Sequence, residues 1–150
     1  MCTYYISNDN KIFYHHCVII MWQTEAKRLT TAPKERVWKL WSQVSDWNRW
    51  DNEVEKSEIF GTFAVGTKGS LKPVGGPKTS FEIIACQHLS TFTDRSFLPL
   101  CSIDFIHTLT ETEHGLEVSH KVVMQGAMTW LFSRVIGKNI AHGLPGAVKK

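Results

Sequence analysis

From residue 22 to residue 31 polar and apolar side chains alternate roughly one for one, the period of a strand with one buried face, and the run ends at Thr31-Ala32-Pro33. Thr31 is placed to cap a helix with Pro33 in its first turn. Beyond it Val37, Leu40, Trp41 and Val44 recur at helical spacing, predicting a helix over 33–43. SDWNRWD follows at once, with Ser45 or Asp46 able to cap a second short helical turn that projects Trp47 and Trp50 to one side. Six strands are then predicted at 53–60, 67–73, 79–88, 91–98, 102–110 and 116–124, separated by Gly61, Gly66, Gly75-Gly76-Pro77, Pro99 and His114-Gly115. Connections this short imply antiparallel hairpins. Last comes a stripe of Met128, Leu131, Phe132, Val135, Ile136, Ile140 and Leu144, the mark of a long amphipathic helix, with Gly137, Gly143 and Pro145 predicting a kink or a loosened end. The order is therefore strand, two short helices, six strands, one long helix. A curved antiparallel sheet must cover its apolar face, and the terminal helix is the element long enough to do so.

Composition narrows the class further. The 150 residues suit one domain, and a hydrophobic fraction of 43% with 21% charged residues describes an ordinary globular protein rather than a disordered one. The longest apolar run, Cys17 to Trp22, falls well short of the roughly 20 residues of a membrane span. It also lacks the basic leader and small-residue cleavage site of a signal peptide. Cysteines at 2, 17, 86 and 101 form no CxxC pair and no zinc-site spacing with histidine, so reduced thiols in a cytoplasmic protein are expected. Net charge is +3, and residues 118–150 carry five Lys or Arg and no Asp or Glu. No interleaved aromatic row or nucleic-acid motif accompanies them, so a solvated helix face is expected there and no nucleic-acid partner.

The segment TAPKERVWKLWSQVSDWNRWD, followed in order by GTKGSLKPVGGP, FTDRSFLP, FIHTLTET and VSHKVVMQGAMTWLF, resembles the START-like (SRPBCC) superfamily, and within it the polyketide cyclase/dehydrase-like branch. The resemblance covers residue 21 to the end. It implies an α+β helix-grip fold, a curved seven-stranded antiparallel sheet wrapped around a long C-terminal helix, with two short helices after the first strand. It also implies a pocket for an apolar or amphipathic small molecule. Two features depart from that pattern: residues 1–20 form an atypical N-terminal extension before a domain at 21–150, and the last helix stops at Lys149-Lys150.

Four of the six tryptophans, Trp38, Trp41, Trp47 and Trp50, lie within thirteen positions. In this fold the two short helices close one end of the groove, which large flat side chains can fill. Trp47 and Trp50 serve there either as a core plug or as the wall of a site for a planar ligand, the plug being the commoner use of buried aromatic clusters. Asp46 and Asp51 read as cap and turn residues.

The most informative polar feature is the last hairpin. If Glu113-His114 is its two-residue loop, residues whose numbers add to 227 face each other, and His107 and His120 do so. Alternation sets both on the apolar, helix-facing side with Ile103, Phe105, Leu109, Val118, Val122 and Met124. Desolvation and mutual repulsion then keep at least one imidazole neutral near pH 7. Such a pair can be a hydrogen-bonded core feature, can orient a ligand's oxygen, or can act as general acid and base. The candidate ligand-binding residues are His107, His120, Trp47, Trp50 and Phe105, with Phe81 on the 79–88 strand. No metal, cofactor or catalytic set is assigned, because no third metal ligand and no Ser/His/Asp or Cys/His order is present. Alternation does not settle which faces Glu82, Asp94 and Arg95 occupy. The leading expectation is a binder of a lipid- or polyketide-like small molecule, monomeric or homodimeric. Its rivals are a cyclase/aromatase-like enzyme acting on a polyketide or related ketone, and a ligand-free interaction module.

Overall fold

The computed structural model describes residues 4–6, 11–14 and 17–147. Seven strands form a curved antiparallel sheet: β3 (Cys17–Thr30), β4 (Val54–Ile59), β5 (Lys68–Pro73), β6 (Thr79–Gln87), β7 (Thr91–Leu98), β8 (Cys101–Thr112) and β9 (Gly115–Gln125). Their spatial order is β3-β9-β8-β7-β6-β5-β4, so β3 and its successor in the chain, β4, lie at opposite ends of the seven. Helix α1 (Lys34–Ser42) and a 3₁₀ turn (Val44–Arg49) make that crossing. Two short strands of the leader, β1 (Tyr4–Ile6) and β2 (Lys11–Tyr14), pair in turn beyond β3. Residues 1–3, 7–10, 15, 16 and 148–150, the Lys149-Lys150 end among them, lie outside the described residues, as does the Leu144 side chain.

Local sequence explains the entry to the crossing, with one correction. Pro33 rather than Thr31 is the cap of α1, its carbonyl accepting from the Arg36 N–H at 3.0 Å, and the Thr30 hydroxyl accepts the Ala32 N–H at 3.1 Å. Proline suits this position because its missing N–H would find no helical partner. The 3₁₀ turn starts at Val44 with Gln43 as its cap, so neither Ser45 nor Asp46 caps it. Asp51 is a turn residue, its Oδ1 accepting the Glu53 N–H at 2.9 Å.

The terminal helix is not one uniform rod. It runs as α2 (Thr129–Phe132), a π turn (Ser133–Gly137) and α3 (Lys138–Ala147). Gly137 is buried against the Trp22 ring of β3, and Gly143 sits against the Glu53 side chain just before β4. The helix thus reaches from β3 toward β4 across the sheet's concave face, with a glycine at each of these two contacts.

Two apolar clusters share that face. One lies under α1 and the 3₁₀ turn and contains Trp38, Trp41, Val44, Trp47, Trp50, Phe81, Ile83 and Phe92. The other, Cys101, Ile103, Val122 and Met124, is covered by Met128, Phe132, Ile136 and Ile140 of the terminal helix. Ala26 of β3 touches both.

Candidate functional site

The β8–β9 hairpin turns through Glu113 and His114, with Thr112 opposite Gly115, and this register sets His107 directly opposite His120. Both side chains point to the concave face and are only 6% and 4% exposed. Their rings meet edge to face with centroids 4.0 Å apart. On β7, Phe92 is the partner of His107, and its ring stacks flat on the imidazole at 4.0 Å. Trp41 packs on both imidazoles, at 5.5 and 6.0 Å, and Trp50 closes on His120 at 5.8 Å.

Asp94 completes the group. It stands two residues beyond Phe92, hence on the same face, opposite Ile83 of β6 and Phe105 of β8. It is 3% exposed, and its Oδ1 lies 3.9 Å from His107 Nδ1, too far for a hydrogen bond. Glu82 and Arg95, cross-strand partners, occupy the convex face, where Arg95 grips Asp104 through two hydrogen bonds of 2.6 and 2.7 Å. One of the three residues that alternation left unassigned therefore joins the candidate site, and the other two lie on the outer face.

Four buried polar atoms of this group have no hydrogen-bond partner among the described residues: Trp50 Nε1, Asp94 Oδ1, His107 Nδ1 and His120 Nε2. Burial sets their protonation. It pushes the Asp94 carboxyl up to about 8, with the Asp104 charge adding to the effect against a backbone N–H that opposes it. Burial likewise drives His107 well below its ordinary value, helped by His120 and opposed by the Phe105 and Phe92 backbone, and takes His120 down to about 3. At neutral pH the 3.9 Å contact is therefore a neutral acid facing a neutral base, and not an ion pair.

The two tryptophans of SDWNRWD differ in chemistry. Trp47 donates its Nε1–H to the Trp41 carbonyl at 2.8 Å and stacks on Phe81, so its polar atom is satisfied within the aromatic core. Trp50 is also buried, but its Nε1–H is unpartnered and its ring touches His120. Phe81, 1% exposed, belongs to the Trp47 side of the core over Gly69. Phe105 packs with the cluster beneath the terminal helix. The structure therefore brings His107, His120 and Trp50 into contact, and leaves Trp47 and Phe81 one layer away. Among the described residues no three His, Cys, Asp or Glu side chains gather in a metal-holding geometry, and no helix is long and apolar enough to cross a membrane.

Neither a family model nor a curated protein matches the chain. Solved structures do. TTHA0849 from Thermus thermophilus superimposes with a TM-score of 0.65 at 18% identity, covering 85% of this chain and 92% of that one. Norcoclaurine synthase from Thalictrum flavum, in complex with dopamine and hydroxybenzaldehyde, gives 0.61 at 13% identity over 86% of each chain. The di-domain ARO/CYC StfQ from the steffimycin biosynthetic pathway gives 0.68 at 10% identity, with 86% of this chain covered and 48% of that protein. At these identities the likeness is one of fold, and the fold is a helix-grip fold.

Proposed function

We propose that this protein binds a neutral apolar or aromatic small molecule carrying an oxygen atom, between the concave face of the sheet and the terminal helix. The observation that carries the reading is the set of four unpartnered buried polar atoms on Trp50, Asp94, His107 and His120. Leaving a buried donor or acceptor unsatisfied costs about 1–3 kcal/mol, so each of the four gains by meeting a partner. A guest oxygen relieves that cost while aromatic rings of Trp41, Trp50 and Phe92 supply the apolar contact. Fold neighbours support the ligand class by analogy, since one is a structure with dopamine and hydroxybenzaldehyde bound and another is an aromatase/cyclase. The free thiols of Cys86 and Cys101 fit action in a reducing cytoplasm.

Native mass spectrometry of freshly purified protein tests the reading. A co-purifying small molecule is expected, and it should be lost from His107→Phe and His120→Phe, which keep a ring in place but remove hydrogen-bonding nitrogens. Each variant should weaken binding of an oxygen-bearing ligand by roughly 1–3 kcal/mol. Unaltered binding in both reduces the pair to packing. A second reading, a cyclase-like enzyme, is favoured by the neutral carboxyl lying 3.9 Å from a neutral imidazole.

A further inference from the structure

We infer that Asp94, His107 and His120 form an acid–base site that enolises a neutral ketone, with the ketone oxygen seated between Asp94 Oδ1 and His107 Nδ1. The inference rests on the binding reading above and gives that site a substrate class and a reaction. Its first support is the gap itself. At 3.9 Å the two atoms are too distant to bond each other, yet one oxygen placed about 2.8 Å from both satisfies the two at once. The second is the donor inventory. Trp50 Nε1 can only donate, a protonated carboxyl can donate, and an imidazole Nδ1 donates in one tautomer. A ligand that suits them offers acceptor lone pairs, as a carbonyl oxygen does. The third is the position of His120, whose Nε2 is also free and whose ring stands 4.0 Å from that of His107. A base there stands beside the imidazole that holds the oxygen.

The step balances without any co-reactant. His120 Nε2 takes the proton from the α-carbon, the C–H electron pair becomes the carbon–carbon double bond, and the carbonyl π pair moves to oxygen. Asp94 passes its proton to that oxygen and is left as carboxylate, while His120 is left as imidazolium. Reversal returns both protons, and in D2O the carbon receives a deuteron when the proton on His120 has exchanged with solvent before the return. A carboxylic acid held neutral by apolar surroundings is suited to stabilising the oxygen of an enolate, which lets a weak base remove the α-proton.

The groups facing Asp94 are Ile83 from β6, Phe105 and His107 from β8, and beyond His107 the His120 ring of β9. Asp104, paired with Arg95, acts on it from the opposite face of the sheet. With burial holding Asp94 protonated to about 8, the activity should hold through neutral pH and decline as pH rises through that value.

The experiment follows hydrogen–deuterium exchange at the α-carbons of 2-tetralone by proton NMR in D2O, with binding of the same ketone measured in parallel by calorimetry. The full chain should bind 2-tetralone saturably and accelerate exchange at least tenfold over buffer. Asp94→Asn should retain binding, because the amide still donates a hydrogen bond, but lose at least tenfold in exchange rate because it cannot pass a proton. His120→Phe, compared at saturating ketone so that weaker binding does not enter, should lose exchange to the same extent, which gives a second route should either variant fail to fold. Binding with exchange at the buffer rate overturns the enolisation inference and leaves the binding reading intact. Exchange that survives in both folded variants overturns the residue assignment, and failure of the wild-type chain to bind the ketone overturns both readings.

Discussion

Asp94→Asn should abolish the fall in stability on the alkaline side of neutrality. In the folded chain Asp94 keeps its proton up to about 8, whereas unfolded it titrates near its ordinary 3.8. Between those values the native state binds one proton more than the unfolded state, so the folding constant drops tenfold for each unit of rising pH. The histidines carry the opposite sign. His120 titrates at about 3 when folded and His107 also lies well below 6.5, so beneath 6.5 the unfolded state takes up two protons that the native state refuses. From 6.5 down toward 4 the two imidazoles outnumber the one carboxyl, and stability falls on acidification. Above 6.5 the loss of the Asp94 proton outweighs what remains of the histidine titration, and stability falls on alkalinisation. The maximum therefore lies near 6.5, and between there and pH 8 the loss from Asp94, about 16-fold, is partly offset by the histidines, so the wild-type chain should lose about fourfold in folding constant, about 0.9 kcal/mol. Asparagine has no proton to lose, so only the histidines act and the variant should rise by about fourfold in folding constant over that interval. Urea denaturation at half-unit steps of pH, extrapolated to water, measures both profiles. A wild-type profile that stays level or rises from 6.5 to 8, or a variant that keeps the fall, refutes the reasoning.

Further predictions concern packing. Trp50→Ala should destabilise the fold by about 3–5 kcal/mol, the range for deleting a buried aromatic ring, and a loss under about 1 kcal/mol in chemical denaturation would contradict its place in the core. Gly69→Ala should cost about 1–3 kcal/mol, since a methyl group there collides with the Phe81 ring and the Glu58 carbonyl. A melting temperature equal to wild type would show that the strand yields more freely than this. A chain beginning at Met21 should fold with stability within about 1 kcal/mol of the full chain, because the β3–β9 ladder runs from Met21 to Thr30 and is retained whole. Insolubility or a loss of several kcal/mol would show that the leader strands are structural.

How much of this was legible in the sequence differs by residue. His107 and His120 were readable because Glu113-His114 is a two-residue turn, so the pairing follows by counting, and the apolar company on each strand chooses the face. Asp94 was not, although the same counting works on the preceding hairpin: strands β7 and β8 pair residues whose numbers add to 199, setting Phe92 against His107 and Asp94 against Phe105. Its turn is Pro99-Leu100, with Leu100 at φ 54, a left-handed conformation that leucine seldom adopts and that sequence signals assign to Gly or Asn. Both faces of β7 mix apolar and polar residues, and β6 shifts register between Ile83 and Ala85, so alternation decides neither strand. The terminal helix was legible as a stripe, and Gly137 marked where it departs from regularity. That the departure is a π turn depends on the Trp22 ring packed against Gly137, a contact from a distant strand. The strands at Tyr4–Ile6 and Lys11–Tyr14 carry no resemblance to the family pattern and follow from edge pairing on β3.

The central claim is that the concave-face polar group receives the oxygen of a small neutral ligand, and a crystal structure of the 2-tetralone complex tests it most directly. The account predicts the ketone oxygen within hydrogen-bonding distance, about 2.6–3.2 Å, of both the Asp94 carboxyl and His107 Nδ1. The ring should lie against Trp41 or Trp50. A complex in which the ketone lies elsewhere, or in which its oxygen points away from Asp94 and His107, contradicts the claim.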